Sequence, residues 1–490
     1  MATPTPSPLH KSPPTPQPAM PSPLLASVPT ATSVPAVPGL PVLGNLLAFR
    51  RDQLALHDAA ARTAPLARLQ MVYLPVYVAS SADLAHQILV EDAAAFKKSM
   101  GLKFLMPLLG DGLLTAEGEP HKRHRKLLAP AFAPRRLAAY GEVMVAETRA
   151  QLARWTPGRR IDLSHEMMEL TLAIAGRTLF GADVRGDART VAGGLELAQR
   201  AVRANLTSVV QLGYHWPLRR HVQMRRAVAA LDEVVYRLIR EGRRAGTDRG
   251  DVLSMLLLAR DEAETAAEAT AEATTGTAAR GLTDREVRDE VMTLLLAGHE
   301  TTANALTWTW YELGRNPGVL GQLEEELRRV VGPTGRDRPV TVEDLPSLPL
   351  NLAVIEEAMR LHPPAYVTGR EALRDVELGG HTLPARSTVL VYIRGIHRRA
   401  EYFPDPLAFR PERMLPEAKK ARPRHHYLPF GAGPRVCIGS HFALLEAQLC
   451  LATMVQHARL RVLATQVAPE PLVTLRPRGG LPAQVERAAL

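Results

Sequence analysis

Apolar residues recur along most of this chain at the three-and-four spacing of helices, with only a few short stretches that break it. The longest periodic run opens at Thr283-Asp-Arg-Glu286, where Thr at the cap and Glu three residues later make a capping box, and it continues to about Arg315. Inside that run Leu294, Ala297, Gly298 and Thr301 share one face. A glycine inside a helix costs roughly 1 kcal/mol relative to alanine, so Gly298 calls for a packing reason. Between Arg136 and Arg260 the pattern predicts helix after helix, and Ser440 to Leu460 predicts another. Glu357-Ala-Met-Arg360 lies near the end of a helix that Pro363-Pro364 must stop. Strands are fewer: two short ones in Leu66 to Ala79, around Leu74-Pro75, and one in Ala365 to Arg370. The expectation is a mainly α protein with a small β portion.

Residues 1–37 depart from this pattern, being dominated by Pro, Ser, Thr and Ala, and predict a disordered leader. Residues 38–490 then form a single domain, with the Ala/Thr/Glu-rich stretch 259–279 as a solvated low-complexity connector within it. No apolar run in the leader approaches the ~20 residues needed to span a bilayer, and no cationic segment precedes an apolar one as in a signal peptide. A soluble, cytoplasmic protein without a transmembrane anchor is expected. The formal charge of +10 brings in nucleic acid, an anionic membrane surface or an acidic protein as partners. Aromatic residues are only 5%, and no helix-turn-helix, RNP or zinc-finger signature occurs, which argues against nucleic acid. The two cysteines, Cys437 and Cys450, form no Cys-x-x-Cys or Cys/His cluster, so a zinc site or disulfide framework is not expected; Cys450 is assigned to the core.

Chemistry concentrates at Phe430-Gly-Ala-Gly-Pro-Arg-Val-Cys437-Ile-Gly439, a glycine-rich loop that runs into the helix predicted at Ser440. A cysteine there faces the positive end of a helix dipole, which favours thiolate over thiol. Gly431 and Gly433 let the backbone fold tightly around it, and Arg435 adds a positive charge two residues away. A lone cysteine in a helical protein is ordinarily a buried core residue. The ordered Phe-x-x-Gly-x-Arg-x-Cys-x-Gly string distinguishes this one. It resembles the haem-binding loop of the cytochrome P-450 family, whose cysteine thiolate is the proximal ligand of haem iron.

Further segments carry the same resemblance in the same order. Ala297-Gly-His-Glu-Thr-Thr302 is similar to the family's motif on the helix facing oxygen, which implies that Glu300 and Thr301 are the acid–alcohol pair delivering protons and that Ala297 and Gly298 lie against haem. His299-Glu300 also begins a zincin motif, but Ala303 stands where the second histidine is required. His121 and Arg125, four apart, match the family's propionate pair in a form found in many bacterial members, and Arg370 matches a further propionate-binding arginine. Arg435, Phe430 and Gly431 are implied as haem contacts. Glu357 and Arg360, joined by Arg413 in Phe409-Arg-Pro-Glu-Arg413, match a buried structural network, although Met414 stands where the family usually has Phe or Trp. Met100 to Leu109 resembles the mobile segment over the substrate pocket and Leu472 to Gly480 the terminal hairpin; Phe104, Met292, Leu296, Val367 and Val473 are expected to line the pocket.

The resemblance implies the cytochrome P-450 fold, with haem b between the long central helix and the helix after the cysteine loop. It implies a haem-thiolate monooxygenase that inserts one oxygen atom from O2 into an apolar organic substrate, by hydroxylation or epoxidation. With only ten residues after Gly480, electrons are expected from separate proteins, a ferredoxin or flavodoxin with its NAD(P)H-dependent reductase, acting on a monomer. Lys122, Arg123, Lys126, Arg135, Lys419, Lys420, Arg422 and Arg424 are read as the docking surface for that acidic partner. Two alternatives are a peroxygenase driven by hydrogen peroxide, whose family members typically lack the acid–alcohol pair, and a non-catalytic haem-binding or sensor protein.

Overall fold

The computed structural model describes residues 33–208, 216–258, 282–332 and 338–488. The leader up to residue 32 and the 259–279 connector lie outside the described residues. The longer helices are α1 (Gln53–Thr63), α2 (Gly118–Leu128), α3 (Pro134–Leu152), α4 (Leu163–Leu179), α5 (Ala188–Leu206), α6 (Arg219–Ala245), α7 (Asp284–Arg315), α8 (Pro317–Val331), α9 (Pro349–Leu361) and α10 (Ser440–His457). The strands are β1 (Leu66–Met71), β2 (Leu74–Ala79), β3 (Phe96–Lys98), β4 (Arg160–Asp162), β5 (Thr368–Ala372), β6 (Val376–Leu378), β7 (His381–Leu383), β8 (Thr388–Val391), β9 (Ala458–Val462), β10 (Pro469–Pro471), β11 (Leu475–Pro477) and β12 (Pro482–Ala488).

Helix α7 is the axis of the molecule. Its predicted capping box is present: Glu286 N–H donates to Thr283 Oγ1 at 3.3 Å and Thr283 N–H donates to Glu286 Oε2 at 2.7 Å. Leu and Val side chains along its 32 residues enter one apolar core shared with α3, α4, α9 and α10. A sheet of order β1-β2-β8-β5-β3 covers a second core, and β4-β12-β9 closes the chain's far end.

The sequence pattern misplaced several boundaries. Val34 is buried, Ala36 bridges Arg68, and Val37 N–H donates to the Arg68 carbonyl at 2.9 Å, so residues 33–37, counted with the leader, extend the edge of β1. The β1–β2 turn falls at Val72-Tyr73, and Pro75 lies within β2, opposite Gln70. Pairing of β2 with β8 starts only at Val76, so the missing proline N–H costs no bond on that side. Helix α10 stops at His457. Beyond it Ala458 and Leu460 point inward in alternation, a strand period that a helical count at Leu460 absorbed. The terminal hairpin starts at Pro469, earlier than expected, with residues 472–474 as its tip.

Behind the cysteine loop, Glu357 and Arg360 are fully buried and joined by two 2.8 Å hydrogen bonds. The remaining guanidinium protons go to the carbonyls of His397, Pro406 and Ala408 at 2.9, 2.7 and 3.0 Å, and the Arg410 N–H donates to Glu357 at 3.0 Å. Arg413 stands farther off, 3.8 Å from the Glu357 carboxylate, and donates instead to the Asp405 carbonyl at 3.1 Å. The expected trio is therefore a tight pair with a loose third member.

Candidate functional site

The cysteine loop is drawn into shape by its own backbone. Cys437 N–H donates to the Phe430 carbonyl at 3.0 Å, Gly431 N–H to the Leu428 carbonyl at 3.1 Å and Val436 N–H to the Gly433 carbonyl at 3.0 Å. Gly433 has φ +70°, and a Cβ there would stand 1.8 Å from the Leu89 carbonyl oxygen, so only glycine fits. Gly431 shares that φ but faces open space. Phe430 is half-buried against the main core. Cys437 is reached by solvent, yet burial is the main influence on its thiol and pushes it up, against the Gly439 N–H and the Arg125 charge that favour thiolate. A sulfur on the floor of a recess satisfies both observations. The Gly439 N–H and the Arg125 charge act in the direction expected from the helix terminus, toward thiolate, and burial acts against them. Cys450 is core, as expected, bonded to Thr148 Oγ1 at 3.3 Å with its thiol pushed up by burial.

In the middle of α7 the buried surface opens. Ala297 is exposed and Gly298 and Thr301 partly so, while Val287 to Leu296 and Thr302 to Leu313 are buried. Thr301 Oγ1 bonds the Ala297 carbonyl at 2.9 Å, which leaves its oxygen lone pairs free for another donor. A side chain at Gly298 would meet Leu179 at 3.3 Å and Ala175 at 3.9 Å, so its smallness serves packing against α4 as well as the open face. Glu300 is turned off that face: it is 1% exposed and bonds Gln199 and Thr474.

A cluster of cations lies beside the cysteine loop. Arg435 donates to the carbonyls of Ala93 and Phe96 and to Glu117, Arg125 donates to the Val436 carbonyl at 2.8 Å, and Arg370 donates to Thr368 Oγ1 and the Gly369 carbonyl. The sequence reading missed Lys98. Strand alternation turns it inward, directly across from Arg370 in the β3–β5 register, while Lys97 pairs outward with Glu371 at 2.9 Å. Its ammonium donates to the carbonyls of Leu113 and Ala116. Burial, joined by Arg435 and Arg370, lowers Lys98 to about 8; burial and Arg435 lower Arg370 to about 10; burial, Lys98 and Arg435 lower His121 to about 4. Glu117 faces Lys98, His121, Arg370 and Arg435, and Asp111 adds a weaker attraction at Lys98. Like charges directly opposite on paired strands are destabilising, so the arrangement asks for a further anion. A recessed sulfur, an open helix face of small residues and an anion-seeking cluster together fit haem, an iron porphyrin with two propionates.

The expected pocket residues divide. Phe104, Met292 and Leu296 are buried in the main core with Val473 packed on it, whereas Val367 packs with Leu54, Tyr366 and Tyr392 in a separate cluster. The expected docking surface is also smaller than the sequence suggested. Arg123 pairs with Glu286, Lys419 with Glu356, and Arg422 lies half-buried over the rings of Phe403 and Tyr427. Lys122 and Lys420 each reach a neighbouring glutamate but are largely exposed, as are Lys126, Arg135 and Arg424.

Comparison with known proteins gives consistent matches. The sequence profile of the Cytochrome P450 family matches residues 35–480. Cyclooctatin synthase of Streptomyces melanosporofaciens is 37% identical over 440 residues, covering 89% of this chain and 92% of that protein. Cyclooctat-9-en-7-ol 5-monooxygenase of the same organism is 34% identical over 425 residues, covering 86% and 88%. Pentalenene oxygenase of Streptomyces avermitilis is 33% identical over 432 residues, covering 86% and 90%. With the match running from the residues beside β1 to the turn after the terminal hairpin, the chain belongs to the cytochrome P450 family.

Proposed function

We propose that this haem-dependent monooxygenase oxidises a cyclic terpenoid, with Cys437 as iron ligand and electrons from an acidic ferredoxin. The carrying observation is the solvent-reached Cys437 in a loop held by Arg125 beside the cluster of Lys98, Arg370 and Arg435, together with the exposed Ala297 on α7. The names of two relatives, a cyclooctatenol monooxygenase and a pentalenene oxygenase, point to apolar ring substrates. Among the described residues no helix is long and apolar enough to cross a membrane.

The balanced reaction is R–H, O2, two electrons and two protons giving R–OH and water. Bound haem supplies the activation of dioxygen. The chain's residues do the rest. Lys98, Arg125, Arg370 and Arg435 would hold the propionates, with His121 donating to them as a neutral ring, and the anions would relieve the repulsion among the four cations. Ala297 leaves room beside the helix. Thr301 turns its hydroxyl from the Ala297 carbonyl to the open side by rotation about one bond, and Glu300 holds the proton that replaces the one given up. Lys122, Lys126, Arg135, Lys420 and Arg424 attract an acidic redox partner, an effect that weakens as salt rises.

Lys98→Met keeps the length of the side chain and removes its charge. Haem is expected to leave this variant several-fold faster than wild type, measured by transfer to apomyoglobin; an unchanged rate would remove Lys98 from the propionate site. The function itself is tested with a plant-type ferredoxin, its NADPH-dependent reductase and a panel of cyclic terpenes under oxygen-18 gas. One labelled oxygen in the product supports the reading. Product formed only with hydrogen peroxide, or none with any ligand that binds, would favour the peroxygenase or the binding protein.

A further inference from the structure

Glu300 is held from two sides by segments distant in sequence. Gln199 of α5 directs Nε2 to both carboxylate oxygens at 2.6 Å. Thr474, at the tip of the β10–β11 hairpin, donates its hydroxyl to Oε1 at 2.6 Å, and Asn304, one turn farther along α7, donates to Thr474 Oγ1 at 3.0 Å. All four side chains are buried. One turn beyond Gln199, Arg203 reaches the Pro471 carbonyl of the same hairpin at 3.5 Å. Helix α5, the terminal hairpin and α7 are thus tied together at one carboxylate.

Ordinary core design would not choose this arrangement. It buries a carboxylate whose side-chain donors are both neutral, and it leaves Gln199 Oε1 without a partner. Resting on the reading of Glu300 as the proton-holding acid, we propose that Gln199 and Thr474 are positioning residues that clamp its carboxylate, fixing its orientation and making it a stronger acid than the buried site alone would allow. The three N–H and O–H contacts favour the charged form, against burial, which favours the neutral one.

The groups around the acid are consistent with this assignment. Burial pushes the Glu300 carboxyl above the usual carboxylate range, while Thr474, then Gln199, then the charge of Arg476 hold it down. Arg476 is engaged with Glu470 at 2.8 Å. On α7 itself His299 is lowered to about 4 by burial and turned to the Leu295 carbonyl. From α10 the buried Glu446 faces Thr302, and burial raises it well above its usual range. From α4, Thr171 bonds the His299 carbonyl at 3.0 Å and brings no charge. Among the described residues the two neutral donors are therefore the main brake on protonation of Glu300.

Infrared pH titration of the haem-loaded enzyme tests the clamp directly. The protonated-carboxyl band lost in Glu300→Gln belongs to Glu300. Removing a donor to the charged form raises the pKa, so in Thr474→Val, and separately in Gln199→Leu, that band is expected to persist to higher pH by about one unit, a roughly tenfold weaker acid. Thr474→Ser restores the hydroxyl and is expected to return the titration to that of wild type, which a merely structural role would not do. The share of NADPH electrons recovered in product should fall several-fold in Thr474→Val and recover in Thr474→Ser. If Thr474→Val fails to fold, Gln199→Leu carries the test. An unmoved band in the folded variants would overturn the clamp. Loss of oxygen-18 incorporation with the infrared shifts intact would instead overturn only the monooxygenase reading.

Discussion

Cys437→Ser is expected to abolish both the strongly red-shifted Soret band of the dithionite-reduced, carbon monoxide-exposed protein and all product formation, whereas Cys450→Ser leaves both. The two cysteines differ in surroundings and not in chemistry. Cys437 stands in a recess open to solvent, at the end of a loop whose backbone bonds point its N–H at Phe430. Cys450 is sealed in the core against Thr148. Serine at 437 keeps the shape but offers a hydroxyl, which stays protonated at neutral pH and donates far less electron density to iron than a thiolate. Haem still enters the variant, because the cation cluster that meets the propionates is untouched. The expected spectrum is therefore that of bound haem without the thiolate signature. A wild-type protein with the band in the position given by an imidazole ligand, or a serine variant that keeps the red-shifted band, would remove Cys437 from the iron.

Much of this was legible from local sequence. The capping box at Thr283 fixed where α7 starts, because its two hydrogen bonds need only residues three apart. The cysteine loop was legible because its glycines and cysteine act on neighbouring backbone. The misses are tertiary. Lys97 and Lys98 are adjacent and alike, and only the β3–β5 register says which faces inward. Gly298 also packs toward α4, where a Cβ would meet Leu179 at 3.3 Å, a neighbour that no local spacing announces. Glu300 carries the right motif, but its partners lie 101 and 174 residues away, beyond the reach of any spacing rule. The basic docking face shrank for the same reason, since Glu286 and Glu356 claim two of its members.

Glu357→Ala should cost roughly 3–5 kcal/mol of stability, because it strands a guanidinium with no exposed surface. Arg360 keeps three carbonyl acceptors and the face of Phe403 at 5.0 Å, but no counter-charge. The damage does not stay local. Arg360 holds the His397 carbonyl; burial lowers His397 to about 3, and its neutral Nε2 accepts the Leu428 N–H at 2.7 Å. Leu428 in turn takes the Gly431 N–H, one residue from the carbonyl that orients Cys437. Loosening the pair therefore frees the cysteine loop, and the variant is expected to lose haem and its thiolate band at urea concentrations well below those that unfold wild type. Arg413→Ala should cost much less, since its guanidinium is 3.8 Å from Glu357 and already served by the Asp405 carbonyl. Replacing Glu357 and Arg360 together by leucine should recover part of the loss, as the stranded charge is then gone. Urea midpoints read by haem absorbance and circular dichroism decide the matter. Equal, small shifts for Glu357→Ala and Arg413→Ala would mean that the buried pair does not hold the cysteine loop in place.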